Sequence, residues 1–393
     1  GAEMNELNIL ENMAIGCKDG KITSIELSNK LKNEEATAKI DACGKVVMPG
    51  FVDPHTHPVF IGTRENEFEW RIQGRSYQEI SRSGGGIRSS MKKTRSASKD
   101  EMKASARPFL QRMLAMGTTT AEAKSGYALT KDGEITMLEA IHELNAEQPI
   151  DLVPTFMGAH EIPEDYQNEP KKFLDFLIDE VLPIIKEKKL AKYCDIFCEE
   201  HVFPIDLSRY YLQKAQAMGF KIRMHADELK PIGGAELAGE IGAVSADHLV
   251  AISEAGIQAL KHNSVFPILL PGTTFSLNLK KYAPGRKMID EGLPVCISTD
   301  FNPGSCHTES MQIVISLACL NFQMTVAEAL SAATINAACS LELDDKIGSL
   351  EIGKNADILV TDMPTYQYIA YHFGLNNNQY VIKNGKVVYQ RNY

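Results

Sequence analysis

Two imidazoles stand one residue apart in 53-DPHTHPVF-60, and three further groups able to bind a metal or move a proton occur much later in the chain. His225 closes the apolar run of 222-IRMHADE-228, His248 lies in 245-SADHLV-250, and Asp300 lies in 297-ISTDFNPGS-305. Side chains two apart on a strand point to one face, so His55 and His57 converge if 50-GFVDPHTH-57 ends a strand. Two imidazoles on one face suit a transition metal such as Zn²⁺ or Fe²⁺. The pair alone does not identify a metal site, and any one of the other groups alone reads as an ordinary core residue. All of them fall at the C-terminal ends of predicted strands, however. Ligation by His55, His57, His225 and Asp300, with His248 close by, accounts for them together.

What must position these groups is a repeated strand and helix unit. Short β-type runs occur near residues 50–57, 118–127, 151–160, 195–203, 220–228, 243–250, 264–271 and 294–300. Helical patterns lie between or after them, at 101–117, 133–148, 171–189, 208–219, 234–242, 252–262, 280–292 and 307–322. The alternation predicts an α/β fold, a (β/α)₈ TIM barrel, whose active sites are built at the C-terminal ends of its strands. The ends of the chain read differently. In 14-AIGCKDGKITSIEL-27 and 379-QYVIKNGKVVY-389, Asp-Gly and Asn-Gly join two β-type runs, a hairpin signal. We therefore expect a small β-sandwich domain formed by both chain termini, residues 1–49 and 346–393, beside a catalytic barrel at 50–345.

The chain has 393 residues, 44% of them apolar, which fits one large domain and a smaller one. Its formal net charge is −10 without a basic block, which argues against nucleic acid or an anionic membrane as partner. The eight cysteines are scattered and form no C-x-x-C pair, as expected of free thiols in a reducing compartment. No apolar run approaches the roughly 18 residues that span a bilayer. The first residues, GAEMNELNIL, lack a positive segment followed by an apolar one, so no signal peptide is expected and the cytoplasm is the expected location.

With the H-x-H, His, His and Asp pattern framed by 47-VMPGFVDPHTH-57 and 348-GSLEIGKNADILV-360, the chain resembles the amidohydrolase superfamily of metal-dependent hydrolases. In more detail it is similar to the imidazolonepropionase family of histidine degradation. That likeness is carried by 54-PHTHPVFIGTRENEF-68, 83-SGGGI-87, 124-KSGYAL-129, 157-MGAHE-161, 225-HADE-228 and 298-STDFNPGS-305, which together span nearly the whole chain. The resemblance implies hydrolysis of the ring amide of 4-imidazolone-5-propanoate to N-formimidoyl-L-glutamate. It implies a divalent or trivalent metal ion, Zn or Fe, held by His55, His57, His225 and Asp300. Proton transfer and charge stabilisation would fall to His248, Asp300 and Glu228, with their shares left open. A carboxylate-bearing small molecule calls for a cationic or hydrogen-bonding partner, and the resemblance assigns Arg64 to it. Tyr127 and His160 would meet the ring or its carbonyl, and Glu228 would alternatively hold a ring nitrogen. Asn302, Gly304 and Ser305 resemble a product-contacting segment. Relatives with two metals carry a carboxylated lysine at the end of strand four. Glu199, Glu200 and His201 close that strand here with no lysine, so one metal per chain is expected. The resemblance also implies a homodimer.

Two other readings stay open on the residues. A ring deaminase of the cytosine or guanine type would use the same metal set, and its H-x-x-E after strand five also fits 225-HADE-228. A non-catalytic barrel that binds a metal or ligand is the second. The run 84-GGG-86 lacks the spacing and preceding strand of a dinucleotide fingerprint; it reads as a flexible first loop or lid, with Tyr77 and Arg88 as solvated neighbours. Cys306 and His307 read as structural, and His142 sits in the middle of a helical pattern.

Overall fold

The computed structural model describes residues 1–75, 79 and 85–392. Its strands, in chain order, are β1 (Met13–Lys18), β2 (Lys21–Leu27), β3 (Val47–Pro49), β4 (Phe51–Asp53), β5 (Thr118–Lys124), β6 (Asp151–Ala159) and β7 (Tyr193–Cys198). They continue with β8 (Lys221–Ala226), β9 (Ser245–His248), β10 (Phe266–Leu269), β11 (Cys296–Ile297), β12 (Ile358–Thr361), β13 (Asn378–Lys383) and β14 (Lys386–Gln390). The eight strands β4 to β11 form one parallel sheet in sequential order. Its two ends meet. Thr56 bridges Phe301, the His57 N–H donates to the Phe301 carbonyl at 2.8 Å, and the Asp300 N–H donates to the His55 carbonyl at 3.1 Å. The expected (β/α)₈ barrel is what forms.

Closure is reinforced by a buried acid. Asp53 accepts the Thr299 N–H at 3.0 Å and its hydroxyl at 2.6 Å, and also the Ser298 hydroxyl. Ser298 in turn takes the His55 N–H at 2.9 Å. The sequence carries the first and last strands to the same place, and Asp53 ties them by hydrogen bonds in a site without water access, where leaving either side unpaired would be costly.

Strands such as β5 are buried along their whole length, as a sheet covered on both faces requires. Helices supply the outer layer. In Lys99–Ala115, Met102, Ala106, Leu110 and Met113 recur at helical spacing and face the barrel, and a capping box of Ser98 and Glu101 starts the helix. The stretch expected as one helix at 171–189 is instead Pro170–Phe176, a π-turn at Leu177–Val181, and Leu182–Glu187. Pro183 has no N–H to continue the i→i−4 ladder, which explains why the register slips there. Helices at Val326–Ala333 and Ile335–Ser340 were not marked by the strand and helix alternation. Among the described residues, no helix is long and apolar enough to cross a membrane.

The chain ends build an antiparallel structure beside the barrel. The hairpin β1–β2 turns at Asp19-Gly20 (φ 51° and 79°) and β13–β14 at Asn384-Gly385 (φ 48° and 72°). Two successive left-handed residues give the turn whose twist matches the flanking strands. β12 pairs with β13 on one side and β3 on the other, in a four-stranded sheet. Ile22 from the first hairpin packs with Ile358, Val360 and Ile382 of that sheet in a small separate core. Lys383 pins the sheet to the barrel by bonds to Asp357 and Asp151, both at 2.6 Å.

Candidate metal centre and active site

Every group singled out for metal chemistry lies at the C-terminal mouth of the barrel. His225 belongs to β8, His248 ends β9, and His55, His57 and Asp300 directly follow β4 and β11. The ligand atoms of His55, His57 and His225 lie within 4.8 Å of one another, as do those of His55, His248 and Asp300. Asp300 Oδ1 sits 3.6 Å from His55 Nε2 and 3.9 Å from His57 Nε2. His248 and Asp300 both hold left-handed backbone conformations (φ 74° and 50°), a strain that persists only where the surroundings enforce it.

A metal fits this donor set. Donors on bonds of about 2 Å are separated by roughly 3–4 Å around an ion, so the cluster needs only a small contraction. His55 Nε2 is buried without a hydrogen-bond partner while its Nδ1 meets Asp247 Oδ2 at 2.6 Å. A carboxylate accepts, so Nδ1 carries the proton and the Nε2 lone pair faces the cluster. Burial, followed by the charge of Lys124, holds His55 well below the ordinary imidazole range, and burial with His160 does the same for His57. Both are neutral, as ligation requires. Burial also acts against charge on His225, but the adjacent Asp195 overcomes it and its pKa is raised. Burial pushes Asp300 up to about 6 against its bond from Thr273; a cation among the same donors would act in the opposite direction.

Behind the histidines lies a layer of buried charge. His225 Nδ1 donates to Asp195 Oδ1 at 3.2 Å, and Asp195 Oδ2 takes Lys124 Nζ at 2.7 Å. Lys124 also bonds Glu122 at 2.9 Å and lies 3.7 Å from Asp247. Arg223 pairs with Glu122 at 2.9 Å and donates to the carbonyls of Pro54 and Ser340, each at 2.9 Å. All five of these charged residues are fully buried. Burial opposes the charge on Lys124, and Asp195 and Glu122 more than restore it, so the amine is cationic. None of these partners was singled out in the sequence. Their signal was present in 118-TTTAEAK-124, where two charges one residue apart in a buried strand must face the barrel interior together.

The residues read as substrate contacts fall into two groups. Tyr127 and His160 adjoin the histidines: His160 stacks on His57 at 5.2 Å between ring centroids, and Tyr127 meets both at 5.9 Å and 5.3 Å. His160 Nδ1 donates to the Gly126 carbonyl at 3.0 Å, and burial followed by His225 lowers its pKa to about 3. Glu228 lies 3.6 Å from His248 Nδ1, and burial together with Asp300 raises its carboxyl to about 8. Arg64 instead stands at the rim, where its guanidinium bonds Glu67 at 2.8 Å and packs on Gly304. Glu67 also accepts the Gly86 N–H at 2.8 Å. A cavity of about 500 Å³ opens beside Arg64, lined by Arg71, Gly304 and His307 among others.

Asn302 is committed to its own loop. Its amide donates to the Asp300 carbonyl and Ser305 hydroxyl, and its oxygen accepts the N–H groups of Gly304 and Ser305 at 2.7 and 2.8 Å. Tyr77 and Gly84 lie outside the described residues. Arg88 pairs with Glu164 at 3.4 Å. His307 packs against Phe60, Phe109 and Phe301, and His142 bonds the Leu190 carbonyl. Glu199 accepts the Leu229 N–H at 2.9 Å. Among the described residues, the groups able to hold a metal all share His55.

A family model described as the amidohydrolase family matches residues 46–388. The chain is 48% identical over 394 residues to a protein of Alkaliphilus oremlandii (strain OhILAs) named imidazolonepropionase, covering 100% of this chain and 93% of that protein. A protein of the same name from Bacillus cereus (strain AH187) is 47% identical over 388 residues, covering 99% and 92%. Among solved structures, the fold is similar to 5-methylcytosine deaminase from Klebsiella pneumoniae liganded with phosphonocytosine. The TM-score is 0.75 at 19% identity, over 97% of this chain and 95% of that one. Guanine deaminase from C. acetobutylicum with bound guanine gives 0.70 at 19% identity, over 97% and 96%. At that identity the structural likenesses speak to the fold alone.

Proposed function

We propose, from the premise that this chain belongs to the amidohydrolase family and groups within it with the imidazolonepropionases, that it hydrolyses the cyclic amide of 4-imidazolone-5-propanoate. The oxygen of water joins the ring carbonyl carbon, the carbon–nitrogen bond breaks, and a proton of that water goes to the departing nitrogen, giving N-formimidoyl-L-glutamate. The observation that carries this reading is the 48% identity running the whole length of the chain. The buried His and Asp cluster with an arginine at its rim supports it.

The family and the cluster mark a metal site. In our reading His55, His57, His225 and Asp300 would hold one ion per chain, and three nitrogens with one carboxylate suit Zn or Fe. When bound, such an ion polarises an amide carbonyl and lowers the pKa of its water toward ~7. In this reading Asp300 would take a proton from the attacking water and deliver it to the leaving nitrogen, a task it shares with His248 and Glu228. His248, neutral because burial and His225 hold its pKa well down, has an N–H to offer the oxygen that gains charge. Glu228, whose carboxyl burial and Asp300 raise, would in its protonated form donate to a ring nitrogen or carbonyl. Arg64 receives the propanoate, Tyr127 and His160 line the ring, and Asn302 shapes the loop that presents Gly304 and Ser305.

The same proposal extends to a homodimer, to the cytoplasm, where the eight unpaired cysteines would stay reduced, and to a division into a barrel at 50–345 and a terminal sandwich at 1–49 and 346–393. The ring-deaminase reading predicts ammonia release, and the non-catalytic reading predicts bound metal without turnover. The deciding experiment follows loss of the imidazolone's ultraviolet absorbance with native and metal-stripped protein. Loss that depends on metal is expected; its absence would sink the assignment.

A further inference from the structure

We propose that Lys124 is a positioning residue for the metal site: one buried ammonium that fixes the carboxylates standing behind two ligand histidines at once. The inference rests on the reading that His55 and His225 bind the metal. Asp195 divides its oxygens, with Oδ1 on His225 Nδ1 and on the His225 N–H, both at 3.2 Å, and Oδ2 on Lys124 at 2.7 Å. Asp247 Oδ2 receives His55 Nδ1 at 2.6 Å and faces Lys124 at 3.7 Å. Each histidine thus has its Nδ1 on a carboxylate, and the His55 Nε2 is left buried without a partner. Both carboxylates converge on the same Nζ.

The geometry demands a cation there. Asp195 and Asp247 are fully buried and reach toward one point from β7 and β9. Without a charge between them they would repel each other and swing from the imidazoles they orient. An ammonium has three donors on a compact head. Glu122, which takes one of them at 2.9 Å, sits two residues before Lys124 on β5 and anchors the head from the strand side. Arg223 shares the same buried layer but is tied to Glu122 and two main-chain carbonyls. It therefore serves as a comparison: it has similar burial and charge and bonds neither orienting carboxylate, although its charge reaches Asp247 and it holds the Pro54 carbonyl beside His55.

The test measures Zn²⁺ affinity by competition with a chelating dye, on metal-stripped wild type, Lys124→Met and Arg223→Met, each checked for folding by circular dichroism. Orienting partners of metal ligands are worth about 10–100-fold in affinity. Lys124→Met is expected to lose that much, and Arg223→Met, which leaves both carboxylates bonded to their imidazoles and to Lys124, clearly less. A purely structural role would lower the melting temperature of both and leave the affinity of the folded protein alone. Equal losses in the two variants, or an unchanged affinity in Lys124→Met, would overturn the inference. Wild type that binds no Zn²⁺ overturns the metal-site reading and this inference with it, whereas tight binding by both wild type and Lys124→Met overturns this inference alone. Should Lys124→Met not fold, the metal-free wild type carries the test in the nuclear magnetic resonance of isotope-labelled His and Lys side chains. Protonated Nδ1 on both His55 and His225, with slowly exchanging Lys124 ammonium protons, is expected. An Nε2–H tautomer at either histidine, or a fast-exchanging ammonium, refutes it.

Discussion

The Arg64 guanidinium lies against Gly304 so closely that a Cβ at that position would sit 2.1 Å from Nη1 and 2.6 Å from the central carbon. The loop after β11 and the loop after β4 therefore meet across a single missing methyl group. Gly304→Ala should displace Arg64 while leaving the barrel intact. We expect KM for the imidazolone to rise about tenfold, the worth of one charge-assisted hydrogen bond, with a melting temperature close to wild type. An unchanged KM would show that Arg64 can move aside without cost to binding.

Arg64→Ala should act on the same quantity more strongly. Hydrogen bonds to charged groups are worth about 1.5–3 kcal/mol, so KM should rise roughly 10–100-fold while kcat falls far less. Glu67 would lose its partner but keep the Gly86 N–H, which limits the structural damage. Steady-state kinetics checks this, and an equal fall in kcat with constant KM would place Arg64 away from the carboxylate.

Metal removal should be visible in stability as well as in turnover. A ligand that binds only the folded state stabilises it by about 2.7 kcal/mol at a hundred times its Kd. The melting temperature of stripped protein should climb with the logarithm of added Zn²⁺ and fall back on chelation. Flat melting curves across a metal titration would argue against a site at the barrel mouth.

Glu228 predicts a pH dependence in the metal-free chain. Its folded carboxyl titrates at about 8 against an ordinary value of 4.5, so the folded state keeps a proton that the unfolded chain releases. The associated stability is complete below about 4.5 and is lost as pH rises through about 8. At one pKa unit per ~1.4 kcal/mol the full effect is on the order of a few kcal/mol. Glu228→Gln removes this equilibrium, so its melting temperature should gain on wild type steadily between about pH 5 and pH 8. Parallel melting curves for the two proteins would show that Glu228 titrates normally.

Much of the cluster at the barrel mouth was legible because residues that converge there stand at strand ends, and strand ends are where apolar runs stop. His55, His57, His225, His248 and Asp300 could be located on that basis. Glu122 and Lys124 left a trace in their spacing within one apolar strand; Asp195, Asp247 and Arg223 left none, since an acid or base inside a strand looks like the end of one until its partner on another strand is known. Asn302 shows what residue type leaves open: its amide satisfies four groups of its own loop, an arrangement that 300-DFNPGS-305 does not spell out. The two Gly hairpins were readable for the opposite reason, because the left-handed turn is a property of two adjacent residues alone. The broken helix at 170–187 turned on one proline and a shift of register that periodicity does not register.

The pairing of β3 with β12 sets an order of events in the making of the protein. Only Gly50 separates β3 from β4, and His55 and His57 follow within a few residues. The strand that leads into the one delivering these histidines is thus gripped by a segment the ribosome has not yet made when His57 emerges. Residues 358–361 must be synthesised before β3 has its partner, and residues 378–390 before that partner has its own. β4 itself is held by β5 and by residues 298–301, all made earlier, so a nascent chain halted before residue 358 would carry all four proposed ligands on a closed barrel whose entry strand β3 still lacks its partner.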